Sequence, residues 1–324
     1  MSTALAETPS LRSLSLTGAG PWQVLTATLF AAGLCMGLSI PTPDVSWLLI
    51  VGQRMLHGQR LYLDVLEVNP PLSALLYLPA AALADLLGLR AESVVAVSCI
   101  LGASASLALT GAILRPLIGP DPVRAWRLAA AGAFVLCVLP AAAFGEREHI
   151  AVMALLPALA LAMARAEGHA PPWTQVVLAG LGLGLTVAIK PHFAAVAAFP
   201  VLWAMWRGRA SRPWTWPELW IAALAVGAYA LAVLAWFPTY LTSVLPVARD
   251  VYVPIRASWR ELLTLPALPL ALAAAALARV MRLDDRWLAV PMLAALGGAL
   301  AYLAQGKGWP YHAYPMLAFA TLGL

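Results

Sequence analysis

The sequence predicts an all-α, polytopic transmembrane protein with about ten membrane segments and juxtamembrane helices in a long first loop. Three observations predict it. The 324-residue chain is 62% hydrophobic and 11% charged, with a mean hydropathy of +0.83, more apolar surface than a soluble core hides. Its apolar residues gather in runs of span length. Its arginines gather in the short connections between those runs, as the positive-inside rule expects.

The elements follow in order. Residues 1–20 carry Arg12 without a cleavage pattern ahead of the apolar run 21–40, which reads as a retained first helix. The first outer loop, 41–92, opens on Pro-Thr-Pro-Asp, continues as a helical stretch to Leu56 and turns at Gly58. Within it, leucines at 72, 75, 76, 83, 86 and 87 form a helical stripe bordered by Ser73, Tyr77, Pro79 and Asp85, the pattern of an amphipathic helix lying in the interface. Further runs lie at 93–114, 128–144, 149–164, 217–237, 263–278 and 287–304, and two shorter ones, 174–189 and 191–206, meet at Lys190-Pro191. The last run, 315–324, covers about half a span, so the chain reads as one transmembrane domain over 1–324, truncated at its C-terminus.

Charge fixes the expected topology. If 71–89 stays on one side, Arg115, Arg124, Arg127, Arg165, Arg207, Arg209, Arg212, Arg279, Arg282 and Arg286 all fall in loops on the N-terminal side, which makes that side cytoplasmic. If 71–89 crossed, those arginines would divide between the two faces. The net charge of +5 and the pI near 9.4 therefore reflect loop arginines, and nucleic acid is excluded as a partner. Cys35, Cys99 and Cys137 all lie in apolar runs with no CxxC pair, which points to packing rather than disulfides or zinc.

The opposite face collects the chemistry: 41–92, 145–149, the Lys190-Pro191-His192 break, 238–262 and 305–314. It holds four of the five histidines and both lysines of the protein. Asp44, just past the first span, suits a general base or metal ligand for a lipid-borne substrate, or else an N-cap for the helix that follows. Asp64 and Glu67 fit a loop-orienting role ahead of Asn69-Pro70-Pro71. Glu146-Arg147-Glu148-His149 packs four titratable groups between two apolar runs, with Glu148 and His149 as an acid or metal-binding pair and Arg147 as a phosphate or carboxylate clamp. Lys190 and Lys307 suit anion ligands or snorkelling anchors. Gly306-Lys307-Gly308 permits close approach, and Trp309, Tyr311, His312 and Tyr314 add stacking and donor groups.

These residues, in this order, resemble the GT-C superfamily of membrane glycosyltransferases, such as protein O-mannosyltransferases and lipid A aminoarabinose transferases. Asp44 after the first span, Gly58, Glu67, Pro70-Pro71-Leu72 and an acid at Glu146 or Glu148 match its pattern, most closely over residues 21–206. The resemblance implies inverting transfer of a sugar from a polyprenyl-phosphate carrier to an acceptor glycan, lipid or protein. It places the active face on the periplasmic or extracellular side of a bacterial inner membrane. Asp44, Glu146 and Glu148 would be catalytic, and Glu67, Arg147, His149, Lys190, His192, Lys307, Tyr311 and His312 would bind substrate. A divalent metal ion, if used, would sit on Asp44, Glu148 and His149. Two departures stand out: Val45 replaces a second acid directly after Asp44, and Glu-Arg-Glu-His replaces a lone aspartate. The competing classes are a transporter or flippase for a lipid-linked or anionic solute and a non-catalytic assembly subunit. Charges confined to helix ends on one face favour surface chemistry over transport.

Overall fold

In the computed structural model, residues 42–208, 215–264, 268, 271–272 and 286–323 are described. The first helix expected at 21–40, most of the run at 263–278, and Cys35, Arg209, Arg212, Arg279 and Arg282 lie outside them. The described residues are helical, without strands. Four helices are long and apolar enough to cross a membrane: Ala91–Ile118, Arg147–Ala166, Pro217–Trp236 and Arg286–Gln305.

The first loop folds as three helices: α1 (Pro43–Leu56), α2 (Pro71–Leu75) and α3 (Leu78–Leu87). Thr42 caps α1 by accepting from the Val45 amide at 3.4 Å, and Gly58, at φ +87°, turns the chain out of it. Tyr77, just ahead of α3, donates to the Gly145 carbonyl at 2.8 Å. Val95, in the first turns of α4 (Ala91–Ile118), stands against the same glycine. The chain is thus at the Gly145 end both before and after α3, so α3 does not carry it to the opposite end.

Beyond α4 come α5 (Pro122–Ala133), continued by a π-turn at Phe134–Val138, then α6 (Arg147–Ala166), α7 (Trp173–Ile189), α8 (Ala194–Arg207) and α9 (Pro217–Trp236). After a helical stretch with π-turns at Tyr240–Val244 and Ala248–Tyr252, α10 (Trp259–Thr264), α11 (Arg286–Gln305) and α12 (Tyr314–Leu322) follow. The α7–α8 break falls at Lys190-Pro191, because Pro191 removes a donor and holds Lys190 extended.

Helix α6 is the axis of the bundle, buried along nearly its whole length. Glycines let its neighbours close in: a Cβ at Gly180 would stand 2.9 Å from the Glu218 carbonyl oxygen, and one at Gly298 would stand 2.8 Å from the Met316 backbone. Small residues at helix crossings give this close packing in an apolar solvent, where hydrophobic burial supplies little.

Two polar ends result. At one, Arg165 donates twice to buried Glu218, both at 3.0 Å, and Glu167 takes Arg207 at 3.0 Å and pairs with Arg286, which ties together α6, α8, α9 and α11. At the other end lie Asp44, Glu146–Glu148, Lys190, Gln305 and Tyr311. The described connection arginines and the candidate site residues thus sit at opposite ends of the bundle.

Candidate functional site

The site is assembled around the N-terminus of α6. Gly145 adopts φ +83°, and its amide donates to His149 Nδ1 at 3.0 Å. The other ring nitrogen, Nε2, lies 2.7 Å from the Leu136 carbonyl, so it carries the proton and donates there. Both nitrogens of His149 are therefore taken by backbone, and the ring packs between Phe144 and Tyr314. The Glu148–His149 pair expected from the sequence does not form: consecutive helical residues project in different directions, and His149 braces the turn instead. Among the described residues no group of three or more His, Cys, Asp or Glu is placed to hold a metal ion.

Fixing that turn places three buried charges. Glu146 accepts from the Thr42 hydroxyl, and its Oε2 is buried without a partner. Burial pushes its pKa up to about 7, with Glu148 and Asp44 adding to the rise and Thr42 opposing it. An unfolded glutamate releases its proton near pH 4.5, whereas native Glu146 holds it to about 7, so the folded state binds more protons in that window. Stability is expected to fall as pH rises from about 4.5 to 7, by on the order of 3 kcal/mol from this group. Denaturation midpoints across that range should flatten in Glu146→Gln; an unchanged slope would show that Glu146 is not the titrating group.

Arg147 is buried, and its guanidinium is held from three sides. One Nη donates to Asn69 Oδ1 at 2.6 Å and to Ser73 Oγ at 3.1 Å, and the other lies 3.6 Å from Asp44. Its Nε has no partner. Asn69 is held in turn by buried Glu67, which accepts from its amide and side chain at 2.7 and 2.6 Å and from Trp47 at 2.6 Å. Glu67 thus orients the loop and acts on the site through Asn69. Tyr62, at φ +71°, clamps the same loop by donating to the Asn69 carbonyl at 2.6 Å.

Asp44 is not the helix cap, because Thr42 fills that role. Its side chain is 41% exposed and accepts from the Tyr311 hydroxyl at 3.0 Å. Burial, then Asp44, raises the Tyr311 pKa, so its proton stays on oxygen and is donated. The Asp44 carboxylate thus opens to the exterior, with the Tyr311 donor on one side and the Arg147 guanidinium on the other.

Glu148, fully buried, pairs with Lys190, whose ammonium also donates to Gln305 at 2.9 Å. Burial lowers the Lys190 pKa, and Glu148 opposes that. His312 Nε2 stands 3.6 Å from Glu148. Burial and then the positive charge of Lys190 hold both His312 and His192 well below the usual imidazole range, so both rings are neutral. Glu148 Oε2, His192 Nε2 and His312 Nδ1 are buried without partners.

Lys307 is placed differently. Its ammonium donates to the carbonyls of Tyr252 and Ile255 and lies 3.9 Å over the Tyr252 ring. Two of its three donors are spent on backbone, which makes it a clasp between 305–314 and the turn that follows the π-helical segment Ala248–Tyr252 rather than an open anion ligand. Lys307→Met is expected to lower stability by about 1–3 kcal/mol through orphaned carbonyls. Thermal unfolding in detergent measures that loss; an unchanged midpoint would show that Lys307 does not hold the two segments together.

Composition and spacing single out Asp44, Glu146–His149, Lys190 and 305–314. They miss Thr42, Trp47, Asn69, Ser73 and Tyr62, whose residue types are ordinary; the bonds of Thr42, Asn69 and Ser73 to Glu146 and Arg147 span 74 to 104 residues. A search of family models, curated proteins and solved structures finds no match for this chain.

Proposed function

We propose that this chain is a membrane glycosyltransferase that moves a sugar from a polyprenyl-phosphate carrier to an acceptor on the non-cytoplasmic face. The observation that carries this reading is one juxtaposition: the exposed Asp44 carboxylate, the Tyr311 donor and the Arg147 guanidinium, beside five buried polar atoms without partners (Glu146 Oε2, Arg147 Nε, Glu148 Oε2, His192 Nε2 and His312 Nδ1). So many unsatisfied polar atoms in one place suit a polar ligand. On this reading about ten membrane segments in a GT-C-like arrangement include the shorter apolar helices α7 and α8, and the protein sits in a bacterial inner membrane with its active face periplasmic or extracellular.

The proposed chemistry needs no group beyond the side chains present. Asp44 takes the proton from an acceptor hydroxyl, whose oxygen bonds to the anomeric carbon while the bond from that carbon to the carrier phosphate oxygen breaks. The bonding pair leaves on the phosphate, which Arg147 and Tyr311 stabilise. Attack opposite the leaving group inverts the anomeric centre. Glu67 and Asn69 contribute by holding Arg147.

One observation favours a second class. A buried carboxyl with a pKa near 7, opposite an end closed by ion pairs, is what a proton-coupled transporter of lipid-linked solute would use. The test is to supply proteoliposomes of the full chain with a labelled polyprenyl-phosphate sugar and a pool of acceptor lipids and glycans. Release of polyprenyl phosphate with label in the acceptor supports transfer. Movement of the intact labelled donor between leaflets, with no release, supports transport instead.

A further inference from the structure

We propose that the groove between α4 and α5, at the end opposite the candidate site, holds an anionic phospholipid, its acyl chains on the groove wall and its phosphate at Arg115. The groove is a cavity of about 710 Å³ walled by Leu107, Ala108, Gly111, Leu114, Leu128 and Ala129. Apart from the hydroxyls of Ser104 and Thr110 that wall is apolar, which suits hydrocarbon better than a free phosphate. Polarity enters at the rim, where Arg115 lines the cavity, exposed and with no partner among the described residues. Arg124 and Arg127 stand exposed on the adjoining α5.

The acid on this connection is already committed. Asp121 caps α5 by accepting from the Val123 and Arg124 amides at 3.0 and 3.1 Å, and lies 3.9 Å from the Arg124 guanidinium. The rim is therefore left with a net positive charge over an apolar slot, complementary to a molecule with two hydrocarbon chains and one negative headgroup. Thr110 is a second, independent sign. Hydroxyls on apolar helices normally return to a carbonyl one turn back, as Ser104 does at 2.8 Å, Thr186 at 2.9 Å and Thr321 at 2.8 Å. The Thr110 hydroxyl lines the cavity, buried and without such a bond. It is free to donate to a lipid ester oxygen.

This inference does not depend on the transfer reading, since none of these residues belongs to the candidate site. The experiment is native mass spectrometry of the full chain in detergent, titrated with phosphatidylglycerol or with phosphatidylcholine of the same acyl chains. Phosphatidylglycerol should be retained in preference. Arg115→Gln should lower its retention roughly fivefold, the effect of one cation near a headgroup. Gly111→Leu should remove the adducts of both lipids without lowering the thermal midpoint, because a Cβ there meets nothing within 4 Å. Equal retention of the two lipids, or retention unaltered in Arg115→Gln, overturns the proposal. So does a disulfide between Gly111→Cys and native Cys35, which would put the chain's own 21–40 run in the groove.

Discussion

Replacing Asp44 with asparagine is expected to lower turnover about a hundred- to ten-thousandfold, the usual contribution of a positioned general base, with no loss of folded protein. The substitution keeps shape and leaves the helix start intact, because the cap of α1 is Thr42. The Tyr311 hydroxyl still has an oxygen to donate to, and Arg147 keeps its bonds to Asn69 and Ser73. What disappears is a negative charge at an exposed position and the capacity to take a proton. Asp85→Asn is the matched control, since Asp85 lies on α3, away from the site, and accepts from Gln53 at 3.1 Å. It should leave the rate within a few fold. Near-normal turnover in Asp44→Asn would move the base to Glu146 or Glu148.

Lys190→Met should cost stability on a comparable scale, about 3–5 kcal/mol, the penalty for leaving a buried charge without its partner. Glu148 is fully buried, its Oε2 already lacks a partner, and Lys190 is its one charged ion-pair partner among the described residues, Arg147 acting on it only at longer range. His312, 3.6 Å away, is held neutral by burial and by Lys190 itself. The diagnostic comparison is the double variant Lys190→Met/Glu148→Gln, in which the orphaned charge is gone. Thermal unfolding in detergent should recover most of the loss in the double variant. Equal losses in single and double variants would mean that Lys190 acts through packing or through Gln305. Arg60→Met breaks an exposed ion pair with Asp64 and should leave the midpoint unchanged.

Much of this arrangement is legible in the residues. Arginines in the short connections and lysines at 190 and 307 separate the bundle into two kinds of end, and ion pairs such as Arg165–Glu218 and Lys190–Glu148 lie at those ends. Pro191 after Lys190 marks the break between α7 and α8 because proline's effect is local. The assignments within the clusters were harder to read. Asp44 resembles a cap from its position, yet Thr42 two residues earlier takes the role. Lys307 resembles an anion ligand and His149 a metal or acid partner, yet both are satisfied by backbone carbonyls or amides, groups that every residue carries and no side-chain pattern reveals. The supports of Arg147 lie 78 and 74 residues away, at Asn69 and Ser73, and such pairings come only from the packing of the first loop onto α6.

The central claim is that the end bearing Asp44, Arg147 and Tyr311 receives a lipid-borne phosphate. A structure of the full chain in a lipid disc with a non-transferable polyprenyl phosphonate tests it most directly. The phosphorus should lie within hydrogen-bonding reach of the Arg147 guanidinium or the Tyr311 hydroxyl, with Asp44 facing the anomeric position. A phosphonate seated at the Arg165–Glu218 end, or at the opposite end but on Lys307 with Arg147 untouched, would contradict it.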